Sequence, residues 1–156
     1  FMLHARDRDY LREVVDKVRR IAAGAAQITG ARLEVSPAHP LYDNVRPNAV
    51  LARAARANAE AIGMPIDETP RGWNGGGAST DFGNVSQALP AYYLRFAVSQ
   101  EPVPGHSTAM AEAAKSALAH DNALATAKVL ALTACDLLTN PSLIDAARAD
   151  FAARAI

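Results

Sequence analysis

The sequence predicts an α/β fold, and three observations lead to that prediction. Short apolar or alternating segments, which are typical of strands, occur at residues 1–5, 32–36 and 91–99. Amphipathic helices separate and follow these segments, with apolar side chains recurring every three or four residues. A stretch with three prolines, residues 37–47, interrupts the pattern and marks a boundary between two parts of the chain.

The part before the prolines is expected to form a strand, a helix and a second strand. Asp7 or Asp9 can cap a helix that runs to about Thr29, and Gly30 is a typical helix stop. The alternation of polar and apolar residues at 32–36 then indicates a half-buried strand. Two strands with one packed helix are half of a small α+β sandwich.

The part after the prolines is expected to be mainly helical around one further strand. Asn48 is a good cap for a helix that ends near Ile62, before Gly63. Beyond the strand at 91–99, Ser107 can cap a short helix and Asn140 can cap the last one. A longer helix is expected between them, at 122–138, with one side formed by Leu124, Ala127 or Lys128, Ala131, and Ala134 or Cys135.

Composition and charge exclude several classes of protein. The 16 Lys and Arg residues balance the 16 Asp and Glu residues, which argues against a protein that coats nucleic acid. Half of the chain is hydrophobic, so disorder is not expected, and no apolar run approaches the length of a membrane span. The single cysteine excludes an internal disulfide and a multi-cysteine metal site. The N-terminal residues show no signal-peptide pattern, so a cytoplasmic location is expected.

Two features stand out as candidate sites. The run Gly75–Gly77, followed by Ser79, can form a nest of backbone N–H groups for an anion, although a plain surface loop is the simpler interpretation. His106 lies after a predicted strand and before a predicted helix, where ligands are often bound. Asp81 is expected to bond its own loop, and Cys135 to be a buried small side chain rather than a nucleophile.

Three motifs resemble one enzyme family in the expected order: residues 76–86 (GGASTDFGNVS), 104–107 (PGHS) and 130–141 (LALTACDLLTNP). They are similar to the C-terminal part of the zinc-dependent amidohydrolases and metallopeptidases. That family includes aminoacylase, carboxypeptidase G and a branch of p-aminobenzoyl-glutamate hydrolase-like and Xaa-Arg dipeptidase-like proteins. The STDFGNVS segment is the most specific and points to the last branch. Residues 21–30 and 48–52 resemble the end of the family's lid domain and the helix that follows it.

The resemblance implies two domains. Residues 1–43 would be the end of a ferredoxin-like α+β lid through which the protein forms a homodimer. Residues 44–156 would be the C-terminal part of an α/β metallopeptidase catalytic domain with two zinc ions. Other divalent metals could replace zinc, because a histidine and carboxylate site accepts several of them. The expected partner is a small amide or dipeptide substrate, with neither nucleic acid nor a membrane.

The resemblance also implies roles for individual residues. His106 matches the family's C-terminal metal-ligating histidine. Gly76, Gly77 and Ser79 resemble the part of the cleft that holds the carboxylate end of the substrate. Asp81 matches a position that organises this loop.

The sequence departs from the family in what it lacks. The His-x-Asp motif, the bridging aspartate and the Glu-Glu pair that supplies the general base do not occur in it. We therefore expect a C-terminal fragment, inactive alone, of a hydrolase that cleaves an N-acyl amino acid or dipeptide with metal-activated water. The alternatives are a non-catalytic remnant that keeps the dimerising lid and an unrelated α/β module that binds an anion at the glycine-rich loop.

Overall fold

The computed structural model describes residues 1–5, 7–64, 66 and 79–153, and within them the regular structure is entirely helical. The helices are α1 (Arg8–Thr29), α2 (Ala49–Ala61), α3 (Phe82–Ala88), α4 (Thr108–Ala113), α5 (Ala117–Thr139) and α6 (Pro141–Ala153). No strand or sheet occurs in these residues. The predicted α/β fold, with its metallopeptidase catalytic sheet and ferredoxin-like α+β lid, is therefore wrong for the chain as described.

The predicted strands fail because a strand needs a neighbour for its backbone N–H and C=O groups. Residues 32–36 are exposed throughout and pair with no other described segment. Residues 91–99 form neither helix nor strand, and two of their carbonyls are bonded by the cap residue of α2 and by a residue of α5. The backbone N–H of Asn48 donates to the Ala91 carbonyl at 2.9 Å, and the Asn122 side chain donates to the Ala97 carbonyl at 2.8 Å.

Most predicted helix ends are confirmed. The Asp7 carboxylate accepts the Tyr10 N–H at 2.8 Å, and Gly30 ends α1 in the left-handed conformation with φ 70°. Asn48 and Ser107 cap α2 and α4 as expected. The long helix α5 begins earlier than predicted, because Ser116 caps it. The short helix α3 was not predicted from the sequence.

The described chain divides into two compact units. Unit 1 contains residues 1–46 and 79–88, and unit 2 contains residues 47–66 and 89–153, in each case without the residues outside the description. In unit 1, Leu11 of α1 is buried, as are Gly83 and Ser86 of α3. The predicted domain boundary between residues 43 and 44 stays a prediction.

Small side chains form the core of unit 2. Ala55 and Ala59, one turn apart on α2, are completely or nearly buried with Val129 of α5. Three partly buried side chains, Ile66, Tyr92 and Leu94, pack against this cluster. Because alanine adds only one methyl group, helices that meet at such residues can approach closely, which is how the alanine-rich composition builds the core.

The start of α2 is bonded to α6. The Asn48 side chain is buried, and its oxygen accepts the backbone N–H groups of Val50 and Leu51 at 3.1 Å each. Its nitrogen donates to the carbonyl of Ala147 on α6 at 2.8 Å. The Asp150 carboxylate on α6 accepts the N–H of Ala49 at 3.0 Å. Two side chains therefore satisfy donors that a helix N-terminus otherwise leaves open.

The helix α5 exposes an apolar surface. We call this surface the outer stripe; it consists of Leu124, Ala127, Ala131, Ala134 and Leu138, which are all exposed. Most of these residues were predicted to form one apolar side, but the buried residues of α5 are Ala119, Thr126 and Val129 on the opposite side. By length and composition α5 could cross a membrane, a test that core helices of soluble proteins also pass.

Candidate functional site

His106 lies in a tight turn at the start of α4. The Ser107 hydroxyl closes this turn by donating to the carbonyl of Pro104 at 2.7 Å. The same oxygen accepts the N–H of Met110 at 3.1 Å and so caps the helix. His106 has φ 55°, the single positive φ at a non-glycine residue in the described chain. Because a left-handed conformation costs a side-chain-bearing residue roughly 1–2 kcal/mol, the turn holds this histidine in place against a local preference.

The imidazole of His106 is available, but it is alone. The residue is exposed, and no described side chain hydrogen-bonds to its ring. Among residues 1–5, 7–64, 66 and 79–153, no three His, Cys, Asp or Glu side chains come together as a metal site. A zinc ion needs at least three protein ligands, so these residues alone do not form a zinc centre. The assignment of His106 as a metal ligand stays a prediction.

The predicted substrate loop is described only at its end. Gly76 and Gly77 lie outside the described residues, whereas Ser79 is exposed and Asp81 follows it in a turn before α3. The Thr80 hydroxyl accepts the N–H of Phe82 at 3.3 Å, and the carbonyl of Asp81 accepts the N–H of Asn84 at 3.0 Å. The roles of Ser79 in substrate binding and of Asp81 in organising the loop stay predictions.

The candidate residues do not fall in one unit. Ser79 and Asp81 belong to unit 1, whereas His106 belongs to unit 2. Of the remaining candidates, Cys135 is exposed on α5, so its expected burial is wrong. His39 lies in the exposed segment before α2, with its ring centroid 5.3 Å from that of Tyr42. Neither residue belongs to a group of three or more His, Cys, Asp or Glu side chains within the described chain.

A set of hydrogen bonds that the sequence analysis missed joins α3 to residues 41–46. The side-chain oxygen of Asn84 accepts the N–H of Asp43 at 3.1 Å. The side-chain nitrogen of Asn84 donates to the carbonyl of Leu41 at 3.0 Å. One amide therefore bonds two backbone groups of a segment that belongs to no helix, much as a neighbouring strand would.

Two further side chains of α3 extend this contact. The Ser86 hydroxyl, which is completely buried, accepts the N–H of Arg46 at 2.9 Å and donates to the carbonyl of Gly83 at 2.7 Å. The Gln87 side chain donates to the carbonyl of Asn44 at 3.0 Å. We call Asn84, Ser86 and Gln87, with the backbone of residues 41–46, the α3 clasp.

Gly83 allows the α3 clasp to close. A Cβ atom at this position would lie 1.7 Å from the backbone oxygen of Asp43, a distance that no side chain can tolerate. The clasp was detectable in the sequence only as the motif STDFGNVS, which contains Gly83, Asn84 and Ser86. The motif was noted for its family resemblance, whereas its side chains bond the backbone of the preceding segment.

The similarity of this chain to known proteins lies with the peptidases. It is 35% identical over 142 residues to the Xaa-Arg dipeptidase of Mus musculus. It is 33% identical over 141 residues to the Xaa-Arg dipeptidase of Homo sapiens. Each match covers 90% of this chain and 32% of the relative, so the chain spans about a third of the length of these relatives. No family model matches the chain. The two matches confirm the similarity to an amidohydrolase and peptidase family that the motifs indicated.

Proposed function

We propose that this chain is part of a hydrolase that cleaves dipeptides, with dipeptides ending in arginine as the substrate class. The observation that supports this proposal is the similarity, over 90% of the chain, to two relatives named Xaa-Arg dipeptidase. The chain corresponds in length to about a third of each relative. The activity is therefore proposed for the protein made from the complete reading frame rather than for these 156 residues alone.

His106 is the residue that we assign to a metal in this proposal. Its turn displays an imidazole whose ring nitrogens bond no other described side chain, and neutral imidazole is a common ligand for zinc. An exposed histidine can hold a metal only if ligands from beyond the described residues close around it. We therefore propose that the isolated chain neither retains zinc nor hydrolyses a dipeptide.

Ser79 is the residue that we assign to the substrate. Its hydroxyl is exposed and can donate a hydrogen bond to a carboxylate, such as the C-terminal group of a dipeptide. The residue directly precedes Thr80, whose hydroxyl and carbonyl bond the first turn of α3. Ser79 is thus attached to a structured element.

The proposal is tested in the protein from the complete reading frame by comparing two histidine variants. The change His106→Asn removes the imidazole, and asparagine tolerates the left-handed backbone that this turn requires. The matched control is His120→Asn on the exposed side of α5. We expect His106→Asn to lose bound metal, measured by mass spectrometry. Its kcat should fall by roughly 100-fold or more, because loss of outer-shell partners alone reaches that scale.

The outcomes separate the alternatives. Equal metal content and equal kcat in the His106→Asn and His120→Asn proteins would show that His106 is not a ligand. A complete protein that cleaves no dipeptide ending in arginine would contradict the proposed function and favour the non-catalytic alternative. Activity and zinc retention by the isolated chain would contradict the proposal that other ligands are required.

A further inference from the structure

We propose that Asn84 and Ser86 are positioning residues for substrate binding, because the α3 clasp fixes the place of Ser79. This inference rests on the proposed function, in which Ser79 meets the carboxylate of the substrate. Neither Asn84 nor Ser86 needs to touch the substrate. They act by holding one backbone segment against the helix that begins directly after the substrate loop.

The α3 clasp holds the backbone of residues 41–46 in place. This segment belongs to no helix, and within the described residues it pairs with no strand. Asn84, Ser86 and Gln87 bond four of its backbone groups at 2.9–3.1 Å. Gly83 lets the two backbones touch. Such contacts replace the ladder of a sheet and fix the segment relative to α3.

Thr80 connects Ser79 to the α3 clasp. The carbonyl of Thr80 accepts the N–H of Gly83 at 3.1 Å, and the hydroxyl of Thr80 accepts the N–H of Phe82. Thr80 is therefore bonded to the first two residues of α3. Ser79 is joined to Thr80 by one peptide bond, which keeps its Cα atom about 3.8 Å from that of Thr80 and so close to the start of α3.

Residues 41–46 also contact the start of α1. The side-chain oxygen of Asn44 accepts the N–H of Arg8 at 3.2 Å, and the Arg8 guanidinium lies 3.8 Å from the Asp43 carboxylate. Residues 41–46 thus join the start of α1 to α3 within unit 1. The predicted boundary between residues 43 and 44 falls inside this segment.

The expected functional effect is on KM. A hydroxyl that holds the carboxylate end of a substrate contributes equally to the ground state and the transition state, so its displacement weakens binding without slowing the chemical step. Loss of one hydrogen bond of ordinary strength would raise KM about tenfold. The metal ligand His106 lies in unit 2, so metal content should not change.

The test compares Asn84→Asp with Gln27→Glu in the protein from the complete reading frame. Asn84→Asp keeps the acceptor for the Asp43 N–H but places a carboxylate oxygen opposite the carbonyl of Leu41. Gln27→Glu makes the same chemical change on the exposed side of α1. We expect Asn84→Asp to raise KM about tenfold. Its kcat and zinc content should be unchanged, and Gln27→Glu should change none of the three.

A second variant and a second measurement keep the test decisive. Ser86→Ala removes the buried hydroxyl and should raise KM in the same direction. In Ser86→Ala, hydrogen exchange should accelerate at the Arg46 amide, because the change removes its acceptor, whereas Asn84→Asp retains an acceptor for the Asp43 amide. This exchange measurement needs no activity and can be made on the 156-residue chain.

Each outcome has a distinct meaning. Faster exchange with an unchanged KM would overturn the inference and leave the proposed function standing. A joint fall of kcat and zinc content would also overturn it, since the clasp would then serve the metal side. If the wild-type protein hydrolyses no dipeptide, the proposed function fails and the positioning role fails with it.

Discussion

The side-chain nitrogen of Asn48 donates to the backbone carbonyl of Ala147 at 2.8 Å, across 99 positions of sequence. The same side chain caps α2 through its oxygen, so one buried residue serves two helices. Removing one partner of such a buried hydrogen bond is costly, because the other partner then lies away from water with no group to bond.

Replacing Asn48 should therefore destabilise unit 2. Asn48→Ala removes the cap of α2 and leaves the Ala147 carbonyl without this donor, which together should cost about 2–3 kcal/mol. The free energy of unfolding can be measured in urea by circular dichroism. Gln27→Ala, on the exposed side of α1, is the control and should change it by less than about 0.5 kcal/mol. Equal midpoints for the two variants would show that the buried amide contributes no stability.

Two glycine-to-alanine changes should have opposite effects. Gly83→Ala would place a Cβ atom 1.7 Å from the Asp43 oxygen, so the backbone of unit 1 must shift at a cost of about 1–3 kcal/mol or more. Gly24→Ala meets nothing within 4 Å inside α1 and should stabilise by about 0.5–1 kcal/mol. Thermal unfolding of both variants beside the wild type measures the difference. A tolerated Gly83→Ala would contradict the close contact between α3 and residue 43.

Zinc should bind weakly to the isolated chain. No three metal-binding side chains meet in its described residues, so His106 alone cannot hold an ion tightly. Calorimetric titration should show no two-site binding of micromolar or higher affinity, and His106→Asn should leave the titration unchanged. Tight two-site binding would show that the chain carries a complete metal centre.

The outer stripe of α5 should make the isolated chain prone to associate. Leu138 and Leu124 are 83% and 59% exposed. The changes Leu138→Lys and Leu124→Glu should therefore lower both the self-association of the chain and its binding of a dye that fluoresces on apolar surfaces. Stability should change by less than about 0.5 kcal/mol, because neither side chain is packed. Val129→Ala on the buried side should instead cost about 2 kcal/mol. Light scattering and dye fluorescence would show whether the stripe causes association.

The sequence predicted the features that depend on neighbouring residues. Asp7, Asn48 and Ser107 were identified as caps because a capping side chain bonds an N–H only two or three residues away. Gly30 was identified as a helix stop for the similar reason that a left-handed backbone favours glycine. Such local signals can be seen in any short stretch of sequence.

The features that depend on distant residues were mostly missed. The strands expected at 32–36 and 91–99 have suitable composition, but composition does not show whether a partner strand is present. Helix α3 contains glycine, asparagine and serine, which favour helices weakly, and its bonds to residues 41–46 lie some 40 positions away in sequence. The position of His106 before a helix was anticipated, whereas the α3 clasp was not.

The hydrogen bonds between α2 and α6 can form only late in the synthesis of the chain. The N-terminal end of α2 is synthesised about a hundred residues before Ala147 and Asp150. At ordinary translation speeds this delay lasts roughly 5–20 s. During that time Asn48 can cap α2, but its bond to Ala147 and the bond between Ala49 and Asp150 cannot yet form. The N-terminal end of α2 therefore acquires all of these hydrogen bonds only after α6 has been translated.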